Sequence, residues 1–173
     1  MVDHTRFWLT KPMEDMTEAE WESLCDGCGK CCTFTLENDD TGDLFRTRVA
    51  CRLFDSAACG CSDYANRFAT VPTCIRLTPA TVPTLDFLPV SCAYRLVAAG
   101  CDLPDWHHLV SGDRETIHRE GWSVRHQTIS EAQLEEDGTD PEDYITRWRR
   151  PPLPPKPPRR TRAALKRPRE KGI

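Results

Sequence analysis

The sequence predicts a small irregular α+β domain, mainly short helices with a few short strands, organised around a cysteine metal cluster. Three observations lead there. The chain has 10 cysteines in 173 residues, far above ordinary usage, so something besides packing must account for them. Its 14 prolines cut the chain into pieces too short for long helices or strands. Once a lead-in and a basic C-terminal segment are set aside, only a modest hydrophobic core remains. Bound metal makes up that deficit, because its binding free energy becomes folding free energy.

The elements follow in order. Residues 1–16 read as a lead-in, with Trp8 and Leu9 docking on the body. Thr17-Glu-Ala-Glu20 has the form of a capping box, so a helix follows with Trp21 and Leu24 on one face, delivering the chain to Cys25. Leu36 to Asp43 is a turn by composition. Phe45 to Cys51 is strand-like and presents Cys51 at its end, and Asp55 to Gly60 is a loop. Ser62 to Phe68 fits a short helix with Tyr64, Ala65 and Phe68 inward.

Leu85, Phe87 and Leu88 supply core. Pro89 suits the first turn of a helix through Ser91 to Ala99, stopped by Gly100, with Cys92, Leu96 and Ala99 on its inner face. Short helices are expected at 104–110 and 114–118, and Trp122 to His126 alternates like a strand. Glu131 to Asp140 is acidic and expected to be exposed; Pro141 to Trp148 forms a terminal amphipathic turn or two.

Charge divides the chain. From Arg149 to Ile173 there are seven prolines, ten Lys or Arg and one Glu, a net +9, whereas the first 148 residues carry −13. Such a segment has too few apolar residues to offset its ordering entropy. The expected organisation is a cysteine-cluster metal-binding domain over 1–148 and a basic, Pro-rich disordered tail over 149–173.

The N-terminus shows no signal-peptide pattern, and no window reaches the ~18 apolar residues of a membrane span. The expectation is a cytoplasmic protein without a membrane partner. Thiols there stay reduced, so closely spaced cysteines read as metal ligands rather than disulfides. The adjacent Cys31 and Cys32 would bridge only with strain.

The cysteines begin Cys25-Asp-Gly-Cys28-Gly-Lys-Cys31-Cys32 and continue with Cys51, Cys59-x-Cys61, Cys74 and Cys92. Thiolates two residues apart across a tight turn can grip one ion, and Gly27 and Gly29 tolerate the backbone that such a turn needs. All-thiolate sites suit zinc or iron–sulfur clusters. The first three cysteines overlap a ferredoxin-type run, but its fourth ligand followed by proline is absent. One metal cannot easily take both Cys31 and Cys32. More than one metal ion is therefore expected, or a cluster supplied by the distant Cys51, Cys59, Cys61 or Cys74. On spacing alone Cys92 reads equally as a buried thiol, and Cys101 as a bystander. His107 and His126 are the better histidine candidates for a ligand or an acid–base group.

The motifs Cys25-Asp-Gly-Cys-Gly-Lys-Cys-Cys32, Val49-Ala-Cys51-Arg, Cys59-x-Cys61-x-x-Tyr64, Cys74-Ile-x-Leu77, Leu88-Pro-x-x-Cys92-Ala-Tyr-Arg-Leu96, Asp102-Leu-Pro-x-Trp106-His107 and Ser123-Val-Arg-His126 follow in order. In this the chain resembles the YcgN branch of the bacterial YkgJ-type cysteine-cluster family, a CxxCxxCC zinc- or iron-chelating domain, over about residues 17–148. The resemblance implies as metal ligands Cys25, Cys28, Cys31, Cys32, Cys51, Cys59, Cys61, Cys74 and Cys92. It also places His107, His118 and His126 at family positions.

The function expected first is zinc or iron binding (iron–sulfur included) through this multi-cysteine cluster, with metal ions as the partners. A second reading is an iron-dependent redox or modifying metalloenzyme, with His107 and His126 completing an open site. A third is an adaptor whose 149–173 tail binds RNA or an acidic partner, which the acidic body opposes for nucleic acid. No phosphate loop, dinucleotide fingerprint or serine triad pattern is present.

Overall fold

The structure is a computed structural model and describes residues 6–155. Its elements are short throughout. The first half holds α1 (Phe7–Thr10), α2 (Glu18–Ser23), β1 (Thr33–Glu37), β2 (Leu44–Ala50), β3 (Phe54–Asp55), β4 (Gly60–Cys61) and α3 (Arg67–Thr70). The second holds α4 (Ala93–Ala98), α5 (His108–Ser111), α6 (Thr116–Arg119), β5 (Ile129–Ser130) and α7 (Glu131–Asp137). This is the mixed α+β class that the sequence predicts.

The capping box at α2 forms as its residues dictate. Glu20 N donates to Thr17 Oγ1 at 3.2 Å, and Thr17 N donates to Glu20 Oε2 at 2.9 Å. Trp21 Nε1 donates to the Leu77 carbonyl at 3.1 Å, and Leu24 is fully buried. Beyond the cysteine loop, β1 and β2 form an antiparallel hairpin around Asn38, whose Oδ1 accepts from the amides of Asp40 and Thr41. Strand β5 pairs parallel to β2, giving the order β1-β2-β5, and β3 with β4 makes a separate two-residue hairpin pairing Phe54 with Cys61.

The main core gathers Trp8, Leu24, Val82, Leu88, Ala93, Tyr94, Val97 and Leu103. Cys28, Trp106 and Ile117 form a second cluster. The cysteine loop runs between the two, so both depend on its path.

Several local expectations are corrected. Trp8 docks, but Leu9 faces outward at 42% exposure. Tyr64 is half exposed, because its hydroxyl donates to Glu22 Oε2 at 2.8 Å and the Arg67 guanidinium lies 3.7 Å over its ring. Pro89 forms a turn ahead of α4, its carbonyl accepting from Cys92 N at 2.9 Å, so the helix begins at Ala93 with Cys92 as N-cap. Residues 122–126 are not a strand. Val124 N donates to the Cys28 carbonyl and His126 N to the Ser56 carbonyl, both at 2.9 Å, which ties this loop to the cysteines instead of to a sheet. The acidic stretch after 130 is the helix α7, with Leu134 buried and Arg52 bound to Glu131 and Glu135.

The start of the basic segment lies against the body. The Arg149 guanidinium sits 4.6 Å over the Trp122 ring, and Pro151 is buried. The rest of the expected tail, 156–173, falls outside the described residues. No helix among the described residues is long and apolar enough to cross a membrane.

Candidate metal centre

Helix α2 ends on the buried Leu24, and the chain enters the loop 25–32 directly beneath it. Gly29 has φ +74, and a Cβ there would sit 2.7 Å from Phe54 Cζ, 2.8 Å from Val124 Cγ2 and 3.0 Å from Cys59 Sγ. Only glycine satisfies both the left-handed backbone and that close approach. The next residues close a 3-10 turn, Cys32 N donating to the Gly29 carbonyl at 3.1 Å.

This path brings Cys25, Cys28 and Cys31 together, and the Pro89 turn carries in Cys92 at the head of α4. The four cysteines, with Asp26, line one cavity of about 30 Å³. Backbone amides face three of the sulfurs: Gly27 N faces Cys25, Lys30 N faces Cys28, and the Tyr94 and Arg95 amides face Cys92. Leu53 N faces Cys51 in the same two-residue step. Amides aimed at sulfur stabilise thiolates and orient them for a metal.

Burial opposes that charge. It pushes the Cys25 and Cys28 thiols well above their ordinary range and Cys92 up to about 12. Cys31 is raised first by its hydrogen bond with Cys32 and then by burial. Cys25 and Cys31 keep exposed surface as residues, yet protein packed around their sulfurs still desolvates the thiolate form. The metal-free site therefore holds neutral thiols, and metal must displace their protons.

Two cations lean on the same place. Lys30 is 5% exposed, and its Nζ donates to the Arg149 carbonyl at 2.8 Å rather than to a carboxylate. Burial lowers its pKa, while Cys28 and Asp26 act in the opposite sense. Arg46 donates to Thr35 Oγ1 at 2.9 Å and to the Phe87 carbonyl, with Cys31 and Cys28 as the negative groups facing it.

The other predicted ligands fall elsewhere. Cys51, Cys61 and Cys74 form a second, more open group, and the Cys61 and Cys74 charges both reach Cys51. Cys32 joins it through the main chain, its carbonyl accepting from Cys51 N at 3.0 Å. Cys59 stands apart from both groups, with φ +58 and its thiol 3.6 Å from the Cys28 carbonyl. Cys101 is buried at the end of α4. Among the described residues, no three His, Cys, Asp or Glu side chains stand arranged around a common metal position. The four thiols share a cavity without yet converging on one point, so closing on a metal requires side-chain rotation. The donor set fits zinc or iron in its chemistry: soft sulfurs, facing amides and nearby cations.

The histidines have other tasks. His107 is fully buried, with Nε2 3.0 Å from the Leu24 carbonyl and Nδ1 accepting from Leu109 N at 3.1 Å. Both ring nitrogens are thus used in holding α2 to α5. His118 Nδ1 lies 2.7 Å from Ser123 Oγ, and His126 occupies a left-handed turn at φ +59. Sequence reasoning missed Asp26, Lys30 and Arg46. The signal for the first two was available, since both charges lie inside an otherwise apolar cysteine motif. A groove of about 440 Å³ also opens beside the site, lined by Cys31, Thr33, Thr35, Phe34, Ile75 and Phe87 among others.

Fold and site together define a cysteine-rich α+β domain with thiols gathered for metal chelation. The family described as "CxxCxxCC: Putative zinc- or iron-chelating domain" matches residues 24–93. The chain is 57% identical over 141 residues to a UPF0260 protein of Mesorhizobium japonicum, covering 82% of this chain and 93% of that one. It is 55% identical over 145 residues to a UPF0260 protein of Caulobacter sp. strain K31, covering 84% and 87%. A UPF0260 protein of Rhodopseudomonas palustris strain HaA2 is 54% identical over 142 residues, covering 82% and 83%. The chain belongs to the UPF0260 family. No solved structure matches it.

Proposed function

We propose that this protein is a cytoplasmic metal-binding protein that holds zinc or iron at Cys25, Cys28, Cys31 and Cys92. The observation that carries this is the small cavity lined by those four cysteines, with the buried Lys30 and the half-buried Arg46 set to balance thiolate charge. Cys32, Cys51, Cys61 and Cys74 are proposed as the ligands of a second ion, and Cys59 as a thiol that packs the loop. The order of the motifs supports placement in the YcgN branch.

Elemental analysis and an absorption spectrum of anaerobically purified full chain test the proposal. At least one zinc or iron per chain is expected, with the full content held in a Cys101→Ser variant and one ion fewer in a Cys25→Ser, Cys92→Ser double variant. Metal-free protein that takes up neither ion sinks it. The groove beside Cys31 favours an iron-dependent enzyme as the second reading, since it gives a small molecule access to the site. A colourless, zinc-only protein with no spectral change on reduction counts against that reading.

A further inference from the structure

Asp26 lies between two of the proposed ligands, and its two carboxylate oxygens have different fates. Oδ1 accepts from Cys28 N at 3.0 Å and braces the turn. Oδ2 is buried and has no hydrogen-bond partner. Asp26 also lines the cavity that Cys25, Cys28, Cys31 and Cys92 share. Leaving a buried acceptor unbonded is costly. Among the described residues no donor lies within hydrogen-bond distance of Oδ2; the Lys30 ammonium points to the Arg149 carbonyl, and the Cys28 amide is taken by Oδ1. What remains in reach is the cavity itself. A carboxylate oxygen is a normal donor to zinc and to iron, and a turn that already fixes Oδ1 fixes the direction of Oδ2.

We propose that Asp26 is a metal ligand through Oδ2, so that the ion at the four-cysteine cavity has a mixed sulfur and oxygen shell. This rests on the proposed metal site and adds to it. With five donors for one ion, one can yield its position without the ion leaving. Cys31, already hydrogen-bonded to Cys32, is the donor most easily spared.

X-ray absorption at the zinc edge of zinc-loaded full chain tests this directly. Sulfur at about 2.3 Å together with oxygen at about 2.0–2.2 Å is expected. Asp26→Asn keeps an oxygen for the Cys28 amide but presents an NH2 group toward the cavity. It should lose the oxygen scatterer and bind zinc at least tenfold more weakly, while melting like the parent when metal-free. A sulfur-only shell in the parent overturns the proposal without reference to any variant. So does an oxygen that persists unchanged in Asp26→Asn, which would belong to water. A parent chain that binds no zinc or iron removes the metal site itself, and this inference with it.

Discussion

Replacing Gly29 with alanine should be among the most damaging single-methyl additions to this fold. The backbone there is left-handed at φ +74, which a residue with a Cβ adopts at a cost of ~1–2 kcal/mol. The new methyl would meet Phe54 Cζ at 2.7 Å and Val124 Cγ2 at 2.8 Å, and such overpacking costs roughly 1–3 kcal/mol. Together the loss is about 2–5 kcal/mol, or roughly 4–20 °C in melting temperature at ~2–4 °C per kcal/mol for a chain of this size. Two other glycines separate the causes. Gly27 has the same left-handed backbone at φ +75 but open space around it, so Gly27→Ala should lose only the backbone share, ~1–2 kcal/mol. Gly60 has open space and no left-handed backbone, so Gly60→Ala should be neutral or stabilising by about 0.4–1 kcal/mol. Thermal melts of the three variants in chelator, beside the parent, give the ranking. If Gly29→Ala melts no lower than Gly27→Ala, the packing of Phe54, Val124 and Cys59 against this loop is not as described.

Three further outcomes are expected. Cys92→Ala should weaken zinc or iron binding by more than about tenfold, whereas Cys101→Ala should lower stability by ~0.5–3 kcal/mol and leave binding intact; a chelator competition titration separates them, and equal binding by both refutes the assignment of Cys92. Lys30→Met should reduce metal affinity by roughly 10–100-fold yet destabilise the metal-free protein by no more than ~1.5 kcal/mol; a urea midpoint that falls far in chelator while affinity holds would show Lys30 to be a structural cation only. His108 is half-buried, and burial, followed by the neighbouring His107, depresses its pKa to about 4. Its unfolded value is ~6.5. The unfolded chain thus binds the extra proton first, so stability present above pH ~6.5 is lost as pH falls toward 4, by up to about 3 kcal/mol. His108→Phe should flatten that slope in urea melts of the metal-free protein, and an unchanged slope would mean the ring is solvated.

The sequence made some of this legible and hid the rest for physical reasons. The α2 capping box and the β2 strand are local patterns, and local patterns need no knowledge of the fold. The cysteine loop was equally plain, because Gly27 and Gly29 occur where a turn between ligands needs them. The segment 122–126 was misread since its alternation comes from a loop packed on both faces. Ser123 and Val124 are both buried, at 4% and 0% exposure, the Val124 amide goes to the Cys28 carbonyl, and the Ser123 and Val124 carbonyls accept from Gln127 rather than from a neighbouring strand. Pairing of the distant cysteines was not readable at all. Cys92 comes beside Cys25 because Pro89 turns the chain into α4, and Cys59 has a left-handed backbone with its thiol toward the Cys28 carbonyl. Spacing carries neither fact. Nor does it separate His107 the ligand from His107 the strut between α2 and α5.

Charge gives the strongest reason to regard the site as built for an ion. Four thiolates around a divalent ion leave about two negative charges. The fold supplies Lys30 and Arg46 beside them, both drawn out of water and both bonded to neutral oxygens rather than to carboxylates. With neutral thiols these two cations are poorly balanced, since Asp26 is the remaining negative group that faces Lys30. With thiolates and an ion they are its counterions. The same balance bears on Asp26. An ionised Asp26 adds a third negative charge to a site whose neighbours supply two, so it raises the demand for positive charge inside the cavity and strengthens the hold on a divalent cation. Cys25 and Cys31 already sit where the Gly27 amide and Cys32 engage them, so the amides and the nearby cations both favour thiolates gathered around positive charge in the cavity.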